Sequence, residues 1–68
     1  MNDVMYTYNF GLIPLVEDVP DRECYTRYHG LCDCKDKDGM NGLIDVYELD
    51  DGSYIAVLGE EGVIYDVQ

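Results

Sequence analysis

Cys24, His29, Cys32 and Cys34 fall within eleven residues of one another and are the chain's soft donors. Thiolates and imidazoles build tetrahedral zinc sites, and a thiolate beside an imidazole makes a nucleophile. The spacing here favours neither. On a helix, Cys24 and His29 point roughly 140° apart. Structural zinc sites use C-x₂₋₄-C pairs, whereas Cys32-Asp33-Cys34 is C-x-C. Ser53 is the sole serine and lies in a turn sequence. Gly59-Glu60-Glu61-Gly62 carries acid where a phosphate loop presents amides and cations. The cysteines read as three reduced thiols, no catalytic residue is assigned, and no cofactor is expected.

Oxygen donors are better arranged. Asp36, Asp38, Asn41, Asp45 and Glu48 follow one another with Gly42 and Ile44 between them. Skipping Met40, this order resembles an EF-hand loop: ligands, turn glycine, central apolar residue and closing glutamate. The resemblance covers thirteen of 68 residues and implies that those five side chains ligate calcium. Ca²⁺ takes six to eight oxygens, two of them from the last Glu. Two departures count against it: Met40 is inserted where loop geometry is strict, and the sequence after Glu48 reads as strand and turn instead of an exiting helix. A calcium-binding module at 36–48 is therefore the alternative reading.

The elements that position these residues follow from periodicity. Val4, Tyr6, Tyr8 and Phe10 alternate with Met5, Thr7 and Asn9, the period of a half-buried strand. Gly11 and Pro14 break it, and 12–16 is an apolar connection. Pro20, with Asp21 and Glu23 behind it, suits a helix start, and Gly30 suits its C-terminal cap, predicting a helix over 20–29. The segment 31–41 reads as a polar, exposed loop. Leu43 to Leu49, Tyr54 to Leu58 and Val63 to Val67 read as strands, joined by turns at Asp50-Asp51-Gly52 and 59–62. The predicted fold is α+β, with one short helix packed on one face of an antiparallel sheet. That sheet comprises the N-terminal strand and the C-terminal three-stranded meander, and 1–68 is a single acidic domain.

Charge separates this chain from an ordinary small domain. Fifteen Asp/Glu face four Lys/Arg, a net charge of −11, against roughly 2–8 in magnitude for a soluble domain of this size. Such an excess repels itself. The chain is nonetheless 47% hydrophobic with seven tyrosines, unlike a disordered acidic tail. Residues 38–68 hold eight acids (Asp38, Asp45, Glu48, Asp50, Asp51, Glu60, Glu61 and Asp66) and no Lys or Arg. A compact chain of this length is about 28 Å across, and duplex DNA of that length carries about 16 phosphates. The acidic half is thus comparable in charge density to one DNA face. Phosphate repulsion excludes direct nucleic-acid binding. No stretch reaches the roughly 20 apolar residues of a membrane helix, and no signal peptide is visible. The odd cysteine count fits a reducing, cytoplasmic setting.

In size, acidity, Tyr-rich strands and lack of catalytic residues, the whole chain resembles the small acidic phage proteins that inhibit bacterial immunity, the anti-CRISPR proteins in particular. Several of those mimic nucleic acid and occupy the site where an effector complex reads DNA. The resemblance implies a stoichiometric inhibitor in the host bacterial cytoplasm, presenting its acidic meander to the basic groove of a nucleic-acid-binding protein such as a CRISPR effector complex. On the residues themselves, Asp45, Glu48, Asp50, Asp51, Glu60 and Glu61 are the expected charge contacts, with Tyr47 and Tyr54 as anchors. An accessory interaction subunit with an apolar interface is the remaining alternative.

Overall fold

A computed structural model describes residues 3–36, 38–58 and 65–66. Six strands are present: β1 (Asp3–Thr7), β2 (Gly11–Val16), β3 (Tyr25–Lys35), β4 (Asn41–Leu49), β5 (Tyr54–Val57) and β6 (Tyr65–Asp66). They run in the order β3-β1-β2-β5-β4-β6, and β3 pairs again with β4. That last pairing closes the first five strands into a barrel. All pairings are antiparallel except β2 with β5.

The expected helix over 20–29 is replaced by a turn and a strand, so the α+β expectation gives way to an all-β barrel. The Asp21 carbonyl accepts the Cys24 amide at 2.8 Å, closing a turn. Tyr25, Thr26 and Tyr28, which favour pleated backbone, then enter β3. Gly30 does take the positive φ of a cap, at 81°, but spends it inside a strand. Register with β4 slips between Tyr25 and Arg27 and again between Tyr28 and Gly30. Eleven residues of β3 therefore oppose nine of β4. These bulges bend the strand, as a glycine in the left-handed region allows.

Two further expectations change. Residues 12–16, read as a connection, form β2; residues 31–35, read as an exposed loop, continue β3. The first strand stops at Thr7, and 8–10 turn. The two strands flanking the Asp50-Asp51-Gly52 turn occur as expected, with Gly52 at φ 89°. Of the third, expected over 63–67, Tyr65 and Asp66 are described, and they pair as β6 with Leu43 and Gly42 of β4. The meander is β3-β4-β5. The turn expected at 59–62 lies outside the described residues.

The barrel interior takes one side of every closing strand: Met5 and Thr7, Ile13, Cys32 and Cys34, Ile44 and Val46, and Ala56. Barrel diameter grows with strand number, and the narrow interior of five strands is filled by these side chains, with Phe10, Leu15, Tyr54 and Leu58 packed against them. Thr7 is fully buried and satisfied: its hydroxyl donates to the Gly11 carbonyl at 2.9 Å and accepts the Phe10 amide at 3.0 Å. A second cluster, Tyr47, Ile55 and Val57 with Val16, Tyr25 and Leu49, packs on the outer face of β4 and β5. Cα extents of 32 × 27 × 23 Å match the size expected from length.

Candidate functional site

Of the eight side chains expected at a partner interface, the structure describes six. Glu60 and Glu61 lie outside the described residues. Asp45 is on the outer phase of β4, where its Oδ1 accepts the Tyr28 hydroxyl. Asp50 Oδ1 accepts from Thr26 Oγ1 at 2.9 Å, tying the β4–β5 turn to the start of β3. Asp51 Oδ1 accepts the Ser53 hydroxyl at 2.6 Å and its amide at 2.9 Å. The Ser53 donors hold the Asp51 carboxyl below its ordinary value. Each of these three carboxylates is thus oriented by a neutral donor, which fixes its direction and leaves its charge intact.

Glu48 faces the other way. It follows the interior phase of Ile44 and Val46 and emerges at the barrel mouth, where its Oε1 lies 3.1 Å from His29 Nε2. Among the described residues this is the only carboxylate with a basic side chain within 4 Å. Asp45 and Glu48 therefore lie on opposite sheet faces, and Asp45 and Asp50 are separated by about 16 Å of extended strand. The expected patch is not one flat surface.

Neither expected anchor is free. Tyr47 is 9% exposed, with Tyr25 edge-on at 4.8 Å and Tyr28 tilted against it at 4.8 Å; burial raises its hydroxyl pKa. Tyr54 packs on Phe10 at 4.5 Å and on His29 at 5.6 Å, and Phe10 meets His29 at 5.1 Å. These three rings with Glu48 plug the mouth.

The calcium alternative loses its geometry. Asp36 Oδ1 accepts the amides of Asp38 and Met40, both at 2.9 Å, closing the β3–β4 turn on itself. Asn41 Oδ1 accepts the Tyr8 hydroxyl at 2.9 Å. From Asn41 the chain runs extended through Asp45 to Glu48, where an EF-hand loop must curl around its ion. Among the described residues no three His, Cys, Asp or Glu side chains converge on one point.

The zinc-type donors also diverge. Cys32 and Cys34 are buried, their sulfurs directed at the Gly30 carbonyl (3.6 Å) and the Gly42 carbonyl (3.5 Å), while Cys24 is exposed in the turn before β3. Burial raises both inner thiols.

What sequence reasoning missed is on the outside of β1 and β2. The outer phase of β1 points to solvent, with Val4 56% and Tyr6 42% exposed; Tyr8 in the turn that follows is 53% and Leu12 of β2 70% exposed. The alternation was visible in the sequence; which phase faced inward was not. No helix among the described residues is long and apolar enough to cross a membrane. No protein-family model, curated protein or solved structure matches this chain.

Proposed function

We propose that this protein is a stoichiometric binding protein that presents carboxylates to a cationic, nucleic-acid-binding surface of a partner, in the manner of a DNA-mimicking anti-CRISPR protein. The observation that carries this reading is unneutralised charge. The chain has a net charge of −11, yet among the described residues no Lys or Arg pairs with any carboxylate. Fifteen acids against four cations leave most carboxylates without an internal counter-charge whatever the pairing, and that excess repels itself. Asp45, Asp50 and Asp51 are instead fixed by a tyrosine, a threonine and a serine, none of which removes charge. Carboxylates held in place lose little side-chain freedom on binding, and Arg on the partner can engage them bidentately.

The test is capture from bacterial lysate at low and high salt, with duplex DNA as competitor and mass spectrometry as readout. Recovery of a DNA-binding complex, lost at high salt and displaced by DNA, is the expected result. Neutralising Asp50, Asp51, Glu60 and Glu61 together should weaken that capture and flatten its salt dependence. Unchanged binding by this variant would reject the reading.

A further inference from the structure

The outer face of β2-β1-β3 continues across the barrel wall as one surface. Register places Val4 opposite Pro14 and Tyr6 opposite Leu12. On the other side of β1, Tyr6 is opposite Lys35, and the Tyr8 amide donates to the Asp33 carbonyl at 3.2 Å. Leu31, two residues further along the same phase of β3, is opposite Asp45 of β4. Val4, Tyr6, Tyr8, Leu12 and Leu31 are all exposed, from 42% at Tyr6 to 70% at Leu12. Tyr6 adjoins Leu12 through the β1–β2 register and Tyr8 through its ring, and exposed apolar side chains grouped in this way suit an interaction surface.

The charges within the face select what covers it. Asp33 of β3 stands among the apolar side chains, and Asp45 of β4 borders them beside Leu31. A neutral apolar partner would bury those carboxylates without a counter-charge, which is strongly unfavourable. A second copy of the chain would bring another net charge of −11 against the first. Phosphate-bearing partners are repelled in the same way. A segment carrying both Arg or Lys and apolar side chains satisfies every group. Its cations meet Asp33, Asp45 and the ring faces of Tyr6 and Tyr8, which stand edge-to-face with centroids 5.2 Å apart. The chain already uses this chemistry internally, where the Arg22 guanidinium sits 4.9 Å from the Tyr25 ring centroid.

We infer that the outer face of β1, β2 and β3, anchored by Tyr6, Tyr8 and Leu12, is the docking surface for a cationic amphipathic segment of the partner protein. This rests on the acidic-surface reading above and moves its centre from the β4–β5 turn to the opposite wall. Among the described residues Lys35 is the one cation on the face, and it opposes such a partner.

The experiment is a ¹⁵N–¹H NMR titration with two synthetic probes, an 18-residue helical Leu/Arg peptide and an all-Arg peptide of equal charge. The Leu/Arg peptide should bind more tightly and shift resonances of 4–14 and 31–35. Tyr6→Ser and Leu12→Ser should each weaken it about tenfold, and Lys35→Glu should tighten it severalfold. Thermal melts confirm that the variants remain folded, and Lys35→Glu supplies a gain of binding that unfolding cannot produce. Equal binding of both peptides, untouched by Tyr6→Ser and Lys35→Glu, would overturn this docking surface while leaving the acidic-surface reading standing. Failure of both peptides to bind in low salt would overturn that reading too. A dimer in sedimentation that dissociates on Leu12→Ser would assign the face to self-association and reject the inference.

Discussion

Replacing Gly30 isolates the device that turns the longest strand into a barrel wall. Its φ of 81° lies in the left-handed region, and a Cβ built there meets nothing within 4 Å. A substitution at this site therefore reports backbone strain without a steric clash. For an L-residue that strain is about 1–2 kcal/mol. Asn tolerates the conformation better than Ala, and a β-branched residue tolerates it worst. A domain under about 70 residues is held by only about 3–5 kcal/mol, and each kcal/mol moves Tm by about 4–8 °C at this size. Gly30→Ala should therefore lower Tm by about 4–16 °C, Gly30→Asn by less and Gly30→Val by more. Circular dichroism melts at neutral pH give the three values, with a strand-type spectrum retained before the transition. Equal Tm for Gly30→Ala and the parent, or the order Asn below Val, would refute the assignment of positive φ to this bulge.

Three further outcomes follow from the described contacts. The Tyr28 hydroxyl, donating to Asp45 and pushed up to about 12, stays protonated in the folded state above its ordinary pKa. Its contribution to stability is complete below about pH 10 and is lost as pH rises towards 12; Asp45→Ala should return its titration, followed by ¹³C NMR of the ring, towards the ordinary value. Native alkylation with iodoacetamide at neutral pH should label Cys24 alone, with Cys32 and Cys34 reacting only as the barrel unfolds; mass spectrometry that finds either inner thiol labelled as fast as Cys24 would contradict their burial. Ile44→Ala, at a site 2% exposed, should cost about 2–5 kcal/mol and leave the chain largely unfolded in a denaturant titration, whereas Ile44→Val should cost about 0.5–1.5 kcal/mol.

Residue types carried part of this structure openly. The β4–β5 hairpin was legible because Asp-Asp-Gly demands a turn between two runs of strand formers, and the observed turn uses Gly52 as that reading requires. Gly30 shows where local reading fails. Its need for positive φ was legible, but a helix cap and a β-bulge both use that conformation. The acids at Asp21 and Glu23 tipped the reading towards a helix start, whereas long-range pairing with β4 decided for the strand. The EF-hand-like order at 36–48 failed for a related reason: spacing along the chain becomes convergence only if the backbone curls, and pairing with β3 holds 41–49 straight.

The composition by itself determined that the chain is an acidic, Tyr-rich domain with more carboxylates than its own cations can neutralise, because charge is a sum over residues and does not depend on the fold. Only the tertiary structure decided which tyrosines meet solvent. Alternation along β1 is symmetric between its two faces, and closure of five strands around a narrow interior breaks that symmetry. Met5 and Thr7 are buried in the interior, while Tyr6 and, in the turn beyond, Tyr8 stand outside.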